Sequence, residues 1–234
     1  MEKKVSVAPD EKSLLLEIRE LSKSYSGVRV LSGITFSLKK GTVMGLIGEN
    51  GAGKSTLIKC LNGVVSHDSG TILFDGRTYT RMTVEKALSL GIVTIPQEFN
   101  LAEHLSVRDN IFLGCERKKA GGLLLDHERM RERARELLER LGCSVSPDAV
   151  AGELNVAQKQ MVEIARGLNR CCRLFIMDEP STVLNSAETE KLFQVIARLK
   201  EQGVSVIYVS HKLREISAIC ESFTVLRDGK YITT

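Results

Sequence analysis

No stretch of this 234-residue sequence stays apolar for the roughly 20 residues needed to cross a bilayer. Its opening, MEKKVSVAPDEK, has no apolar signal core. The expectation is a cytosolic chain with reduced thiols, whose membrane role, if it has one, runs through a partner. Six cysteines (Cys60, Cys115, Cys143, Cys171, Cys172 and Cys220) contain no CxxC pair, and the four histidines are scattered, so metal-ligand spacing is missing. The net charge of +4 is mild for this length and calls for no nucleic-acid partner. The Arg-rich run from Glu128 to Arg140 also carries Glu132, Glu136 and Glu139. Met130, Ala134, Leu137, Leu138 and Leu141 fall on one stripe, so the run reads as the solvated face of an amphipathic helix. There is no internal repeat and no low-complexity segment.

What is present suits one large α/β domain: 43% hydrophobic and 26% charged residues are ordinary globular usage. Residues 1–13 are polar, carry Pro9 and read as a loose tail, leaving 14–234 as the domain. Strands are expected at Leu14–Leu21, Val30–Leu38, Thr42–Ile47, Thr71–Phe74 and Ile92–Ile95. Helices are expected at Ser55–Asn62 and Val84–Leu90. From about 97 to 167 no good strand is visible and helical periodicity dominates, which predicts a helical subdomain inserted in the core. The core resumes with strands at Leu174–Met177, Val204–Val209 and Phe223–Leu226, and helices at Ala187–Lys200 and Leu213–Cys220. Apolar strands alternating with helices predict a largely parallel sheet.

Two motifs carry chemistry. Gly48-Glu49-Asn50-Gly51-Ala52-Gly53-Lys54-Ser55 fits GxxxxGK[ST] and sits after an apolar strand and before a helix, the context of a P-loop. The glycines let backbone N–H groups turn toward phosphate oxygens, and the helix start presents its positive end to the same anion. Lys54 reaches toward the β- and γ-phosphates of ATP, and the Ser55 hydroxyl suits Mg²⁺, a hard cation. Leu174-Phe175-Ile176-Met177-Asp178-Glu179 puts two carboxylates at the C-terminal end of an apolar strand, where open α/β sheets bind ligands. Asp178 suits the metal, and Glu179 suits the proton of an attacking water.

On these residues the chain resembles the nucleotide-binding domain of ABC transporters, from Leu14 to about Tyr231. The resemblance implies an α/β P-loop NTPase fold: a RecA-like core, an N-terminal antiparallel β part and the inserted helical subdomain. It also implies head-to-tail pairing with a second cassette around two ATP molecules. Tyr25 matches the aromatic that stacks on adenine. Thr56 follows the P-loop serine at the nucleotide. Gln97 matches the Q-loop glutamine, facing Mg²⁺ or the attacking water, and the segment after it is expected to face the membrane subunit. His211, after a buried strand, matches the switch histidine.

Two motifs depart from the family. The signature, usually LSGGQ, reads Leu154-Asn155-Val156-Ala157-Gln158. Asn155 can still cap a helix, whereas Ala157 adds a Cβ where the partner's γ-phosphate should approach. In the second, Asn185 stands where the family has aspartate. The stretches Gln160–Ala165 and Gly91–Glu98 are similar to monosaccharide importers of the ribose, xylose and galactoside type, which carry two fused cassettes. An excised first half and a naturally single cassette both remain open. The implied partners are transmembrane permease subunits and, indirectly, a sugar-binding protein, with the chain peripheral on the cytoplasmic face of the cell membrane. The alternatives are a regulatory cassette that binds ATP without turnover and a soluble ABC factor acting on ribosomes. The latter would need a second cassette and a basic arm between the two, and no such arm appears here.

Overall fold

A computed structural model describes residues 13–119 and 124–233. Apart from Ser13, the tail reading lies outside the described residues; the Ser13 carbonyl accepts from Lys40 N at 2.9 Å.

Three segments are apolar almost throughout and form the inner strands of a parallel sheet: β3 (Val43–Ile47), β7 (Leu174–Asp178) and β8 (Ser205–Val209). Strands covered on both faces have no reason to alternate. With β6 (Ile92–Ile95) and β9 (Ser222–Arg227) they run parallel in the order β9-β3-β8-β7-β6. An antiparallel part extends the same sheet. It consists of β1 (Leu14–Tyr25), β2 (Val28–Lys39), β4 (Ser69–Phe74) and β5 (Arg77–Tyr79), joined through β10 (Lys230–Thr233). The resulting order, β5-β4-β1-β2-β10-β9-β3-β8-β7-β6, is more mixed than the largely parallel sheet that the alternation predicts.

Side chains from the two faces of β7 seed two cores, as period-2 pleating requires. Leu174 and Ile176 join Leu16, Ile18 and Ile72 of the antiparallel part and Leu57 and Leu61 of α1 (Lys54–Leu61). Phe175 and Met177 face the other way. They meet α3 (Val107–Phe112), α4 (His127–Arg140), α5 (Val156–Asn169) and α6 (Ser186–Glu201). The predicted stripe of α4 (Met130, Ala134, Leu137, Leu138 and Leu141) is buried there. The remaining helices are α2 (Val84–Ser89) and α7 (Leu213–Ile219). Between 97 and 167 the described residues hold helices, a 3₁₀ turn at Ala151–Glu153 and isolated bridges, but no named strand.

This order sets the site. The segments after β3, β8, β7 and β6 leave the sheet at one edge, side by side. Each begins with one of the singled-out motifs: Gly48, Ser210-His211, Glu179 and Gln97. Four chemically distinct loops are thereby brought together by strand adjacency alone.

Candidate functional site

The loop from Gly48 to Gly53 is shaped by what cannot fit there. A Cβ at Gly48 would lie 2.6 Å from the Leu226 carbonyl oxygen, and one at Gly53 would lie 2.6 Å from Leu31 Cδ2. Gly53 (φ 98°) and Gly51 (φ 85°) also take left-handed backbone that other residues rarely adopt. No side chain caps α1 at Gly53, so the first-turn N–H groups stay open to an anion. Lys54 is buried and its Nζ donates to the carbonyls of Gly48 (2.5 Å) and Glu49 (3.1 Å) across the loop. Behind the loop, Gly229 N donates to Ala52 O at 3.2 Å and Gly229 O accepts from Ser32 N at 2.7 Å, so the β9–β10 turn braces it.

One open cleft is lined by Lys54, Ser55, Thr56, Gln97, Asp178 and Glu179, together with Val30 and the exposed loop residues Glu49, Asn50 and Gly51. Burial pushes the Asp178 carboxyl above the usual range; the charge on Glu179 adds to this and the Lys54 ammonium opposes it. Glu179 is held left-handed at φ 47° by a bond from its N–H to Val209 O (3.0 Å), while Thr182 Oγ1 donates to its carbonyl (2.9 Å). Strained non-glycine backbone is maintained where the surroundings over-determine it, most often at functional sites. His211 Nδ1 lies 3.3 Å from Glu179 Oε1.

The chemistry of the cleft fits ATP and Mg²⁺. A glycine cradle, an uncapped helix start and a buried ammonium suit a polyphosphate. Ser55, Asp178 and Gln97 offer hydroxyl, carboxylate and amide oxygens, the donors Mg²⁺ takes. Among the described residues no group of three or more His, Cys, Asp or Glu side chains is placed to hold a metal alone.

Other singled-out residues lie elsewhere. Tyr25 ends β1, is 41% exposed, has Lys23 Nζ 5.4 Å from its ring centre, and is not among the cleft-lining residues. Asn155, Ala157 and Gln158 line a separate cavity against α6. There Asn155 Oδ1 accepts from Gln158 N (2.9 Å) and Gln158 Oε1 accepts from Asn155 N (3.0 Å), a reciprocal capping box at the start of α5. Asn185 does the same for α6, with Glu188 as its partner.

Val30 and Glu163 were not singled out from the sequence for this site. Val30 lines the cleft because β2 passes beside Gly53, which no local pattern signals. Buried Glu163 on α5 accepts from Asn100 N at 2.7 Å, and Arg166 donates to Asn100 O at 2.8 Å, which ties the segment after Gln97 to α5.

Residues 31–182 match the family model described as ABC transporter. A ribose import ATP-binding protein of Rubrobacter xylanophilus is 49% identical over 218 residues, 93% of this chain and 43% of that protein. A putative ribose/galactose/methyl galactoside import ATP-binding protein of Albidiferax ferrireducens is 46% identical over 220 residues, 94% of this chain and 44% of that protein. The chain thus spans less than half the length of these curated relatives. A crystal structure of the ADP conformation of an ATP-binding cassette of an ABC transporter superposes with a TM-score of 0.83 at 26% identity, covering 94% of this chain and 90% of that chain.

Proposed function

The chain belongs to the ABC transporter ATP-binding cassettes, and from that premise we propose that it hydrolyses ATP to power import of a monosaccharide. The observation that carries the hydrolytic reading is the convergence of Lys54, Asp178 and Glu179 on one cleft, with His211 against Glu179 at 3.3 Å. Lys54 and the open amides of α1 hold the β- and γ-phosphates. Ser55, Asp178 and Gln97 would hold Mg²⁺, which when bound neutralises phosphate charge. Glu179 takes a proton from water placed in line with the γ-phosphorus, and His211 orients that carboxylate. Exposed Tyr25 at the end of β1 packs on the adenine.

The chain pairs head to tail with a second cassette, so that Asn155, Ala157 and Gln158 meet the partner's ATP. The sugar is read from the relatives named above, whose printed names give ribose, galactose and methyl galactoside. A permease subunit docks beside the segment after Gln97. A cleft there is lined by Thr94, Leu113, Glu163 and Arg170, with Glu163 Oε2 and Arg170 Nε buried and without partners. A sugar-binding protein would act through that permease. As a cassette similar to import ATP-binding proteins, the chain would sit peripherally on the cytoplasmic face; no described helix is long and apolar enough to cross a membrane.

One observation favours a second reading, a regulatory cassette without turnover: the capping box at the start of α5 engages the Asn155 and Gln158 backbone N–H groups, which are then not open to a partner's phosphate. Steady-state Mg-ATP hydrolysis by the chain over a wide concentration range separates the two. Specific activity that rises with concentration and is lost in Glu179→Gln supports the ATPase. ATP binding with no turnover at any concentration supports the regulatory cassette.

A further inference from the structure

The contact between Glu179 and His211 joins two side chains on two loops, and His211 is 58% exposed. Little packing fixes the imidazole, so its direction depends on the turn that carries it. That turn and the loop after Glu179 converge on one buried carboxylate, Glu215, in the first turn of α7. Ser181, two residues after Glu179, donates its hydroxyl to Glu215 Oε1 at 2.6 Å and lies 2.7 Å from Oε2. Ser210, beside His211, donates to Oε2 at 3.0 Å. Tyr208, near the end of β8, donates to Oε2 at 2.8 Å, and Lys212 Nζ lies 3.1 Å from Oε1. Ser210 Oγ also accepts from Lys212 N at 3.0 Å, closing the turn around His211.

Three hydroxyls and an ammonium thus surround one acceptor group. Burial disfavours its charge, yet the donors outweigh burial and hold its pKa below the usual carboxylate range. Without the carboxylate these donors would face one another around a void, and the loops would lose their common anchor. None of these contacts reaches the nucleotide cleft, so the cluster has no evident part in binding ATP.

We infer that Glu215 is a positioning residue for ATP hydrolysis: it fixes the Glu179 loop and the His211 loop at one separation, and so sets the contact that orients the base. This rests on the hydrolytic reading above. Because misplacing a reacting group by about 1 Å can cost on the order of 10²-fold in rate, the effect belongs in kcat.

The test compares Glu215→Gln with wild type in the full chain. A fall in kcat of at least about 10-fold, with KM for ATP within about 3-fold, is expected. Glu215→Gln with both constants within about 2-fold of wild type overturns the inference. Should Glu215→Gln fold poorly, Ser210→Ala and Tyr208→Phe each remove one donor; the same split, smaller in size, is expected from both, and no split in either overturns it.

A second readout needs no turnover. Glu179→Gln should shift the His211 ring signals in NMR spectra, because the two side chains touch. In a Glu215→Gln background that response should be lost. A response that survives undiminished overturns the inference even where kcat has fallen, since the loss would then reflect general destabilisation. If wild type itself does not hydrolyse ATP, the hydrolytic reading fails while the spectroscopic arm still judges the clamp.

Discussion

Two helix starts in this chain are proposed to meet phosphate, and they are built in opposite ways. α1 begins at Gly53, with left-handed backbone and no side chain over its first turn. α5 begins at Asn155, whose carbonyl oxygen is spent on Gln158 N while Gln158 returns the bond. The first leaves its orphan amides for a ligand. The second satisfies part of its own demand through the Asn155–Gln158 capping box. One chain therefore presents a prepared half-site and a self-satisfied one. ATP affinity should reside in the former, whereas the latter contributes only when a partner's nucleotide competes for its remaining donors.

The largest effect should come from breaking the prepared start. Lys54→Ala should weaken ATP binding by on the order of 10²-fold, in keeping with the ~1.5–3 kcal/mol of a hydrogen bond to a charged group. Isothermal titration calorimetry measures it; a loss below about threefold would place affinity elsewhere. Next is Gly53→Ala, which forces a side chain into left-handed backbone with its Cβ 2.6 Å from Leu31 Cδ2. It should cost about 1–3 kcal/mol of stability, read as a lower denaturant midpoint, and weaken ATP binding as well. Asn155→Ala should cost about 1 kcal/mol through the lost cap, with the ATP affinity of the single chain unchanged. If affinity fell too, the two starts would not be separate. The smallest effect belongs to Asn185→Asp: aspartate caps as well as asparagine, so the thermal midpoint should move by no more than about 0.5 kcal/mol allows. Any change in cooperative hydrolysis would then report the interface alone.

Much of this layout was legible in the sequence because each motif advertises itself locally. β3 and the glycines after it, and β7 with its two terminal carboxylates, are contiguous strings whose apolar runs mark buried strands. The stripe of α4 was legible for the same reason. β5 and β10 were not: they are three and four residues long, with little burial to impose alternation. β1 and β2 run further than their apolar cores suggest, to Tyr25 and from Val28, because pairing between the two continues through polar residues with register shifts. In the site, Val30 and Glu163 escaped because their partners are remote in sequence. Asn155 and Asn185 stood out as departures from a family pattern, while their capping partners, Gln158 and Glu188, sit three residues on and follow a rule readable without any family.

The brace behind the phosphate loop bears on how the protein is made. Ala52 and Ser32 are tied to Gly229, and β2 is joined to β10, by residues far downstream. A chain emerging from the ribosome presents its glycine loop early, with the turn that supports it still unsynthesised. Pairings of such long sequence separation form slowly, because the intervening chain must be closed first. The loop would then gain its final shape only when the β9–β10 turn arrives, so competence to hold nucleotide should be acquired with that turn rather than with the motif that encodes it.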